Sequence, residues 1–169
     1  MSVTFSGGRF ILPSATSEVF LPSKPSTAVS IGDLMVWDAT NKWVVPISDA
    51  ILGVAFDTVA EIAPAFVGVA LQAKLAADTS KGYPGVTAGG EGITIASDCV
   101  YEATCASAAF DVGTTVGPVA TSAGDFTVVA NATTAQIIGY VVSQYTSAAT
   151  RIRVRLVGKF SPFRYADIN

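Results

Sequence analysis

The chain contains no histidine. The commonest general base and the commonest metal ligand are therefore both missing, and neither a Ser-His-Asp nor a Cys-His centre can be assembled from this chain alone. Its two cysteines, Cys99 and Cys105, have no second pair to complete a zinc site. On one extended strand they would stand about 20 Å apart, well beyond the roughly 4.4–6.8 Å between Cα atoms that a disulfide needs. They read as buried free thiols. The chain has 13 carboxylates, and a hydrolase of the paired-acid kind needs only two, facing each other at about 5–10 Å. However, Asp33, Asp38, Asp49, Asp57, Asp78, Asp98, Asp111 and Asp125 mostly fall at strand ends and in loops, where Asp bonds nearby backbone. The run KGYPGVTAGGEG invites comparison with a phosphate loop, but it lacks the Gly-Lys-Ser/Thr ending and opens no helix. No clustered Asp/Asn run matches a calcium loop. The expectation is a chain without cofactor, metal or catalytic residues.

Two groups of residues are left as candidates for recognition. Arg151, Arg153 and Arg155 alternate with Ile152, Val154 and Leu156, which predicts a strand with one buried and one polar face. The arginines are either a solvated, aggregation-resistant face or a contact strip for acidic groups on a neighbour, since the guanidinium grips carboxylates with two bonds. Trp37 and Trp43 flank a short loop. With Tyr83 and Tyr101 they could stack on sugar rings, although the apolar neighbours of both tryptophans favour packing.

Composition limits the partners. Half of the 169 residues are apolar, only 14% are charged, and the net charge is −3. A sizeable core is available and disorder is not expected. Without basic runs, binding to nucleic acid through phosphate neutralisation is disfavoured. No stretch approaches the roughly 18 consecutive apolar residues of a membrane span, and MSVTFSGGRFILPS lacks the basic and apolar regions of a signal peptide. Low charge over a large surface points to coverage by another chain.

The elements that must position these residues form a repeating pattern. Val19-Phe20 answers to Val100-Tyr101, and Ile31-Gly32 to Val112-Gly113, both at an offset of 81 residues (100 − 19 and 112 − 31). Ile51-Leu52-Gly53 is matched with Ile137-Ile138-Gly139. VGVALQAKL from Val67 is matched with IRVRLVGKF from Ile152 at an offset of 85 (152 − 67). Such self-similarity decides the fold reading. We divide the chain into an N-terminal arm (1–17), a first β repeat (18–78), a Gly-rich connector (79–98), a second β repeat (99–160) and a C-terminal tail (161–169). Strands are expected over Glu18–Leu21, Leu34–Trp37, Trp43–Pro46, Ile51–Val59, Phe66–Leu75 and Ile93–Ala96. The alanine-rich Ala63–Ala77 could be helical, but its valine alternation favours strand. The fold class is all-β: a compact β-barrel or β-sandwich built from two pseudo-repeated units, with an extended N-terminal arm. Each repeat of about 60 residues is marginal alone, so the two share a core or lean on a partner.

Each repeat carries the order Ile/Val-Gly, strand, turn, strand, an apolar-apolar-Gly strand, then an alternating strand. The first copy has Ile31-Gly32-Asp33-Leu34, Ile51-Leu52-Gly53-Val54-Ala55 and Val67–Leu75. The second has Val112-Gly113, Ile138-Gly139-Tyr140-Val141 and Ile152–Phe160. This resembles the small β-rich capsid decoration, or cement, proteins of tailed bacteriophages, in particular those with a GDLV…GVAL…VRVEGVF pattern. The resemblance spans most of residues 18–160. It implies a structural virion protein, made in the host cytoplasm, that binds the outer surface of a capsid and bridges neighbouring copies of the major capsid protein, commonly as a homotrimer. It brings no catalytic residues. The surfaces expected to meet capsid or sister subunits are Phe5, Phe10, Ile11 and Leu12 in the arm, Arg151, Arg153 and Arg155, and Phe163 and Tyr165 in the tail. A carbohydrate-binding or adhesin module on a phage surface is the alternative.

Overall fold

The computed structural model describes residues 8–10, 17–52, 59–76, 92–122, 125–130 and 137–161. The chain is mostly β. Its elements run β1 (Gly8–Phe10), β2 (Ser17–Pro22), β3 (Leu34–Asp38), β4 (Trp43–Pro46), α1 (Ile47–Leu52), α2 (Val59–Ala65), β5 (Phe66–Ala70), β6 (Gly92–Phe110), β7 (Thr115–Ser122), β8 (Asp125–Ala130), β9 (Gly139–Val141) and β10 (Tyr145–Val157).

Most of the expected strands form, with one correction. The segment expected as a strand over Ile51–Val59 begins in α1 and ends in α2, with residues 53–58 outside the described ones. Pro46 precedes α1, Asp49 lies in its first turn, where a carboxylate suits the helix dipole, and Ile47 and Ile51 recur at a helical interval. In α2, Pro64 offers no N–H to the preceding turn and limits the helix, after which β-branched Val67 and Val69 run on in β5. Helix therefore takes Ala63–Ala65 from the ambiguous alanine-rich stretch, and strand takes Phe66–Ala70.

The central element is β6, 19 residues long. Its odd-numbered residues from Ile93 to Cys105 are all buried, following a period of two, and Ala96 and Asp98 between them are buried as well. Strand continuity carries it straight through the expected boundary between residues 98 and 99. Antiparallel partners line both of its edges: β2 and β5 along its first part, β1 and β10 along its second. The full path β10-β9-β7-β8-β6-β5-β3-β4 is open, because its end strands do not pair with each other. Within it β10 returns to β6, and β6 meets β8 through one parallel pair, Cys105↔Val128. In the first half, one parallel bridge, Ser23↔Val44, ties the end of β2 to β4.

Matching hydrogen bonds recur in the two halves. Asp33 N–H donates to Ser30 O (3.1 Å) as Thr114 N–H does to Asp111 O (3.1 Å). Gly32 and Gly113, both at positive φ (95° and 87°), donate to Ala70 O (2.9 Å) and Val141 O (2.8 Å). Leu71 N–H reaches Thr94 O (2.9 Å) as Val142 N–H reaches Arg153 O (3.0 Å). The bridge Val29↔Lys74 matches Phe110↔Tyr145. These pairs keep the offset of 81 for the turn and β3 (113 − 32) but give 71 for β5 against β9 (141 − 70) and 59 for early β6 against β10 (153 − 94). Val67–Leu75 therefore does not stand where Ile152–Phe160 stands. In hydrogen-bond pattern Ala70 matches Val141 and Thr94 matches Arg153, and the pair Ala70↔Ile95 matches Val141↔Val154.

Burial follows the same correspondence. One cluster packs Val29, Met35, Val67, Ala70, Ile93 and Ile95 with Val19 and Leu21. Phe110, Val116, Ile138, Val141, Ile152 and Val154, which these offsets match to the first six, all lie in the other cluster. That larger cluster also contains Leu34, Val36, Val45, Phe66, Val69 and Ala96 from the first half, covered by Ile47 and Ile62 of the helices. Residues of both halves therefore share one core, in which each fully buried aliphatic side chain contributes about 1.5–3 kcal/mol.

Candidate interface

In β10, Ile152, Val154 and Leu156 are buried, and the three arginines point to the other face. The neighbours on that face come from β6. The register sets Arg151 opposite Thr104, Arg153 opposite Glu102 and Arg155 opposite Val100. The arginines are not equivalent. Arg155 grips Asp98 with two bonds, Nε–Oδ1 at 2.8 Å and Nη2–Oδ2 at 2.6 Å. The Asp98 side chain has 0% exposure and that of Arg155 has 32%. The hydrogen bond to Asp98 raises the Arg155 pKa against a smaller opposing effect of burial, with Tyr140 adding in the same sense. Arg151 lies 3.4 Å from Glu102 and is largely exposed. Arg153 is exposed, and its backbone N–H donates to the Tyr145 hydroxyl (2.7 Å). The strip thus divides into a structural arginine, a loosely paired one and one that projects into solvent.

The remaining expected contact residues are placed only in part. Phe10 lies in β1, opposite Tyr101 of β6, with Arg9 opposite Glu102. Residues 8–10 of the expected arm are therefore a strand of the sheet rather than an extension away from it. Phe5, Ile11, Leu12, Phe163 and Tyr165 lie outside the described residues. The expected sugar platform does not assemble among the described residues. Trp37 packs on one cluster and Trp43 on the other. Trp37 makes an edge contact with Phe160, with ring centroids 6.0 Å apart. Tyr101 is buried and donates its hydroxyl hydrogen to Gly32 O (3.2 Å). Tyr83 lies outside the described residues.

Several carboxylates serve the fold, as their positions in the sequence suggested. Asp38 accepts from Thr40 N–H (2.9 Å) and Asn41 N–H (3.1 Å) and from the Asn41 amide (2.7 Å). Burial pushes its pKa up, but these donors outweigh it and hold the group below its ordinary value. Asp49 pairs with Lys24 (2.7 Å), and Asp111 accepts from Gln144 (2.5 Å). Among the described residues no group of three or more Cys, Asp or Glu could hold a metal ion, and no helix is long and apolar enough to cross a membrane. Both cysteines are free and buried. Burial, with the Asp98 charge adding, pushes the Cys99 thiol up to about 12, and burial also raises that of Cys105.

Three polar features escaped the sequence reading. The Asp98–Arg155 pair spans 57 residues and has no local signal. Lys74 is buried and donates to Lys24 O (2.7 Å) and Thr27 O (3.2 Å), which fixes the Ser/Pro/Thr loop after β2. Asp33 is buried in the turn that precedes β3. No protein-family model matches the chain, and no curated protein matches it significantly.

Proposed function

We propose that this chain is a non-catalytic structural protein of a tailed-phage virion. In this reading it is built from two copies of one five-stranded unit and cements neighbouring major capsid subunits from the outside as a homo-oligomer, a trimer being favoured. The first unit comprises β2, β3, β4, β5 and the start of β6. The second comprises the rest of β6, β7, β8, β9 and β10. In each unit the strand pairings run in a ring whose last link is a single parallel pair, Ser23↔Val44 or Cys105↔Val128. Each ring is thus a small barrel, and β6 is shared between them.

The observation that carries the reading is the recurrence of the same turn, hydrogen bonds and interior positions in both halves. In this reading a scaffold was copied for its shape. The duplicated Gly-strand-turn-strand order is also what resembles the cement proteins. The outer faces of the two units differ. The first carries the two helices, whose Ile47 and Ile62 join the shared core, and α2 also lies against β7 of the second. The second presents Arg151 and Arg153 to solvent, where they are available to carboxylates of a coat subunit. Three such contacts on a rigid trimer add through effective concentration. Cryo-electron microscopy of the parent virion tests the reading: the expected result is density for this chain on the outer shell, and its absence there overturns the proposal. Light scattering of the purified chain should give an oligomer mass.

A further inference from the structure

Turn 30–33 opens β3 and carries a buried carboxylate. Asp33 is 3% exposed. Its Oδ2 accepts the Ser30 N–H (2.8 Å), while its Oδ1 is buried without a hydrogen-bond partner. Its backbone closes the turn (Asp33 N–H to Ser30 O, 3.1 Å) and receives the Ala70 N–H from β5 (2.9 Å). The corresponding turn 111–114 has the same backbone bonds but places Thr114 where Asp33 stands. The frame therefore does not need a carboxylate there. A buried oxygen of an ionised carboxylate without a donor is costly, and protonation removes most of that cost.

The groups packed around Asp33 give the charge no relief. From β6, Tyr101 donates its hydroxyl hydrogen to Gly32 O and not to the carboxylate, and the Asp33 charge raises the pKa of that hydroxyl further above its already burial-raised value. Cys99 lies beyond Tyr101 on the same strand and adds in the same sense. β5, Phe66–Ala70, carries no titratable side chain. The ammonium of Lys74 is engaged by Lys24 O and Thr27 O.

We propose that Asp33 is a proton-uptake site built into turn 30–33, protonated in the native fold on the acid side of neutrality, and that its ionisation loosens the β3–β5 junction at this end of the sheet. Burial pushes the group up to about 6 from an ordinary 3.8, against a lowering by the Ser30 N–H. The native fold then holds this proton on the order of a hundredfold more tightly than the unfolded chain does. The sign follows from linkage. A carboxyl whose pKa rises on folding adds stability below its unfolded value, and that addition is lost as pH rises through the folded value. The window is about pH 4–6.

The test is an NMR titration of the side-chain carboxyl carbons in the intact wild-type protein, assigned with Asp33→Asn, combined with amide hydrogen exchange at Ala70. The expected result is an Asp33 midpoint near 6 and Ala70 protection that falls by roughly tenfold or more between pH 5 and pH 7.5, after correction for intrinsic exchange. That loss should be abolished in Asp33→Asn. A midpoint at or below 4 overturns the proposal, as does a pH dependence of Ala70 protection that Asp33→Asn leaves intact. Thr114→Asp provides an independent arm. Thr114 is only half-buried in the matching turn, so a carboxyl installed there should titrate near its ordinary value, and a high midpoint there would show that burial is not the cause at Asp33.

Discussion

Asp98 stands where three strands meet: β2 pairs with it through Ser17 and β10 through Val157. Its carboxylate is fully buried and held by two bonds from Arg155, at 2.8 and 2.6 Å. Breaking a buried ion pair by removing one partner costs about 3–5 kcal/mol, mostly from the charge left behind. The two partners should not be equal in this respect. In Asp98→Asn the stranded group is a guanidinium already 32% exposed, which can turn to water, so the cost falls to about 2 kcal/mol. In Arg155→Met the stranded group is a carboxylate with 0% exposure, and the cost stays at about 3–5 kcal/mol. At about 2–4 °C per kcal/mol for a chain of this size, thermal midpoints should fall by about 4–8 °C and by about 6–20 °C, respectively. The double variant Asp98→Asn/Arg155→Met should be more stable than Arg155→Met alone, because it buries no unmatched charge. Calorimetric melts and urea titrations at pH 7.5 measure all three. If Asp98→Asn proves as damaging as Arg155→Met, or the double variant is the least stable, the pair is not governed by burial of the carboxylate and the reasoning fails.

Gly68 and Gly139 occupy matching positions, and a Cβ at either would overlap a carbonyl of the facing strand, Ala96 O or Arg155 O. Gly68→Ala and Gly139→Ala should each destabilise by about 1–3 kcal/mol from overpacking, with Gly68 the worse because its φ of +148° adds backbone strain; urea midpoints check the order. Arg153→Ser should leave the melting temperature within about 2 °C and weaken capsid co-sedimentation, whereas Arg155→Ser should lower the melting temperature. Equal effects of the two on melting would remove the distinction between an outward and a structural arginine. The thiols of Cys99 and Cys105 should resist a disulfide reagent at pH 8 in the native protein and react fully in urea, since burial keeps both protonated; fast native labelling would contradict the burial of Cys99.

The sequence made the strands legible wherever alternation was strict. Ile152, Val154 and Leu156 lie inside and the arginines outside, as period two requires. The turns at Ile31-Gly32 and Val112-Gly113 were legible too, because their glycines stand at positive φ. The register was lost beyond β4. Two strands of similar apolar character, Val67–Ala70 and Ile152–Val157, were matched by composition, although their hydrogen-bond partners differ. The run Ile51–Val59 read as strand, although α1 holds its start and α2 its end, because a short apolar run has no period long enough to decide. In the interface, the alternation revealed which arginines share a face but not which one is engaged. That depended on Asp98, 57 residues away, and pairing at such range is a property of the fold.

The proposed duplication makes this asymmetry physical. Thr94 and Ala96 on early β6 stand where Arg153 and Arg155 stand on β10, with backbone bonds of the same pattern. In the first half, Ala96 is buried beside residues of the helical insertion, Ile47 and Ile62, so a charge there would lose its hydration without a partner. In the second half no helix of the described residues lies between β8 and β9; α2 lies against β7, and the part of β10 that carries Arg151 and Arg153 stays open to water, which an arginine tolerates and an exposed apolar strand does not. One frame thus carries two skins, set by what was inserted around it. If the chain binds a coat surface, the second unit has the free face with which to do so, and the first unit contributes the covered core that keeps that face rigid.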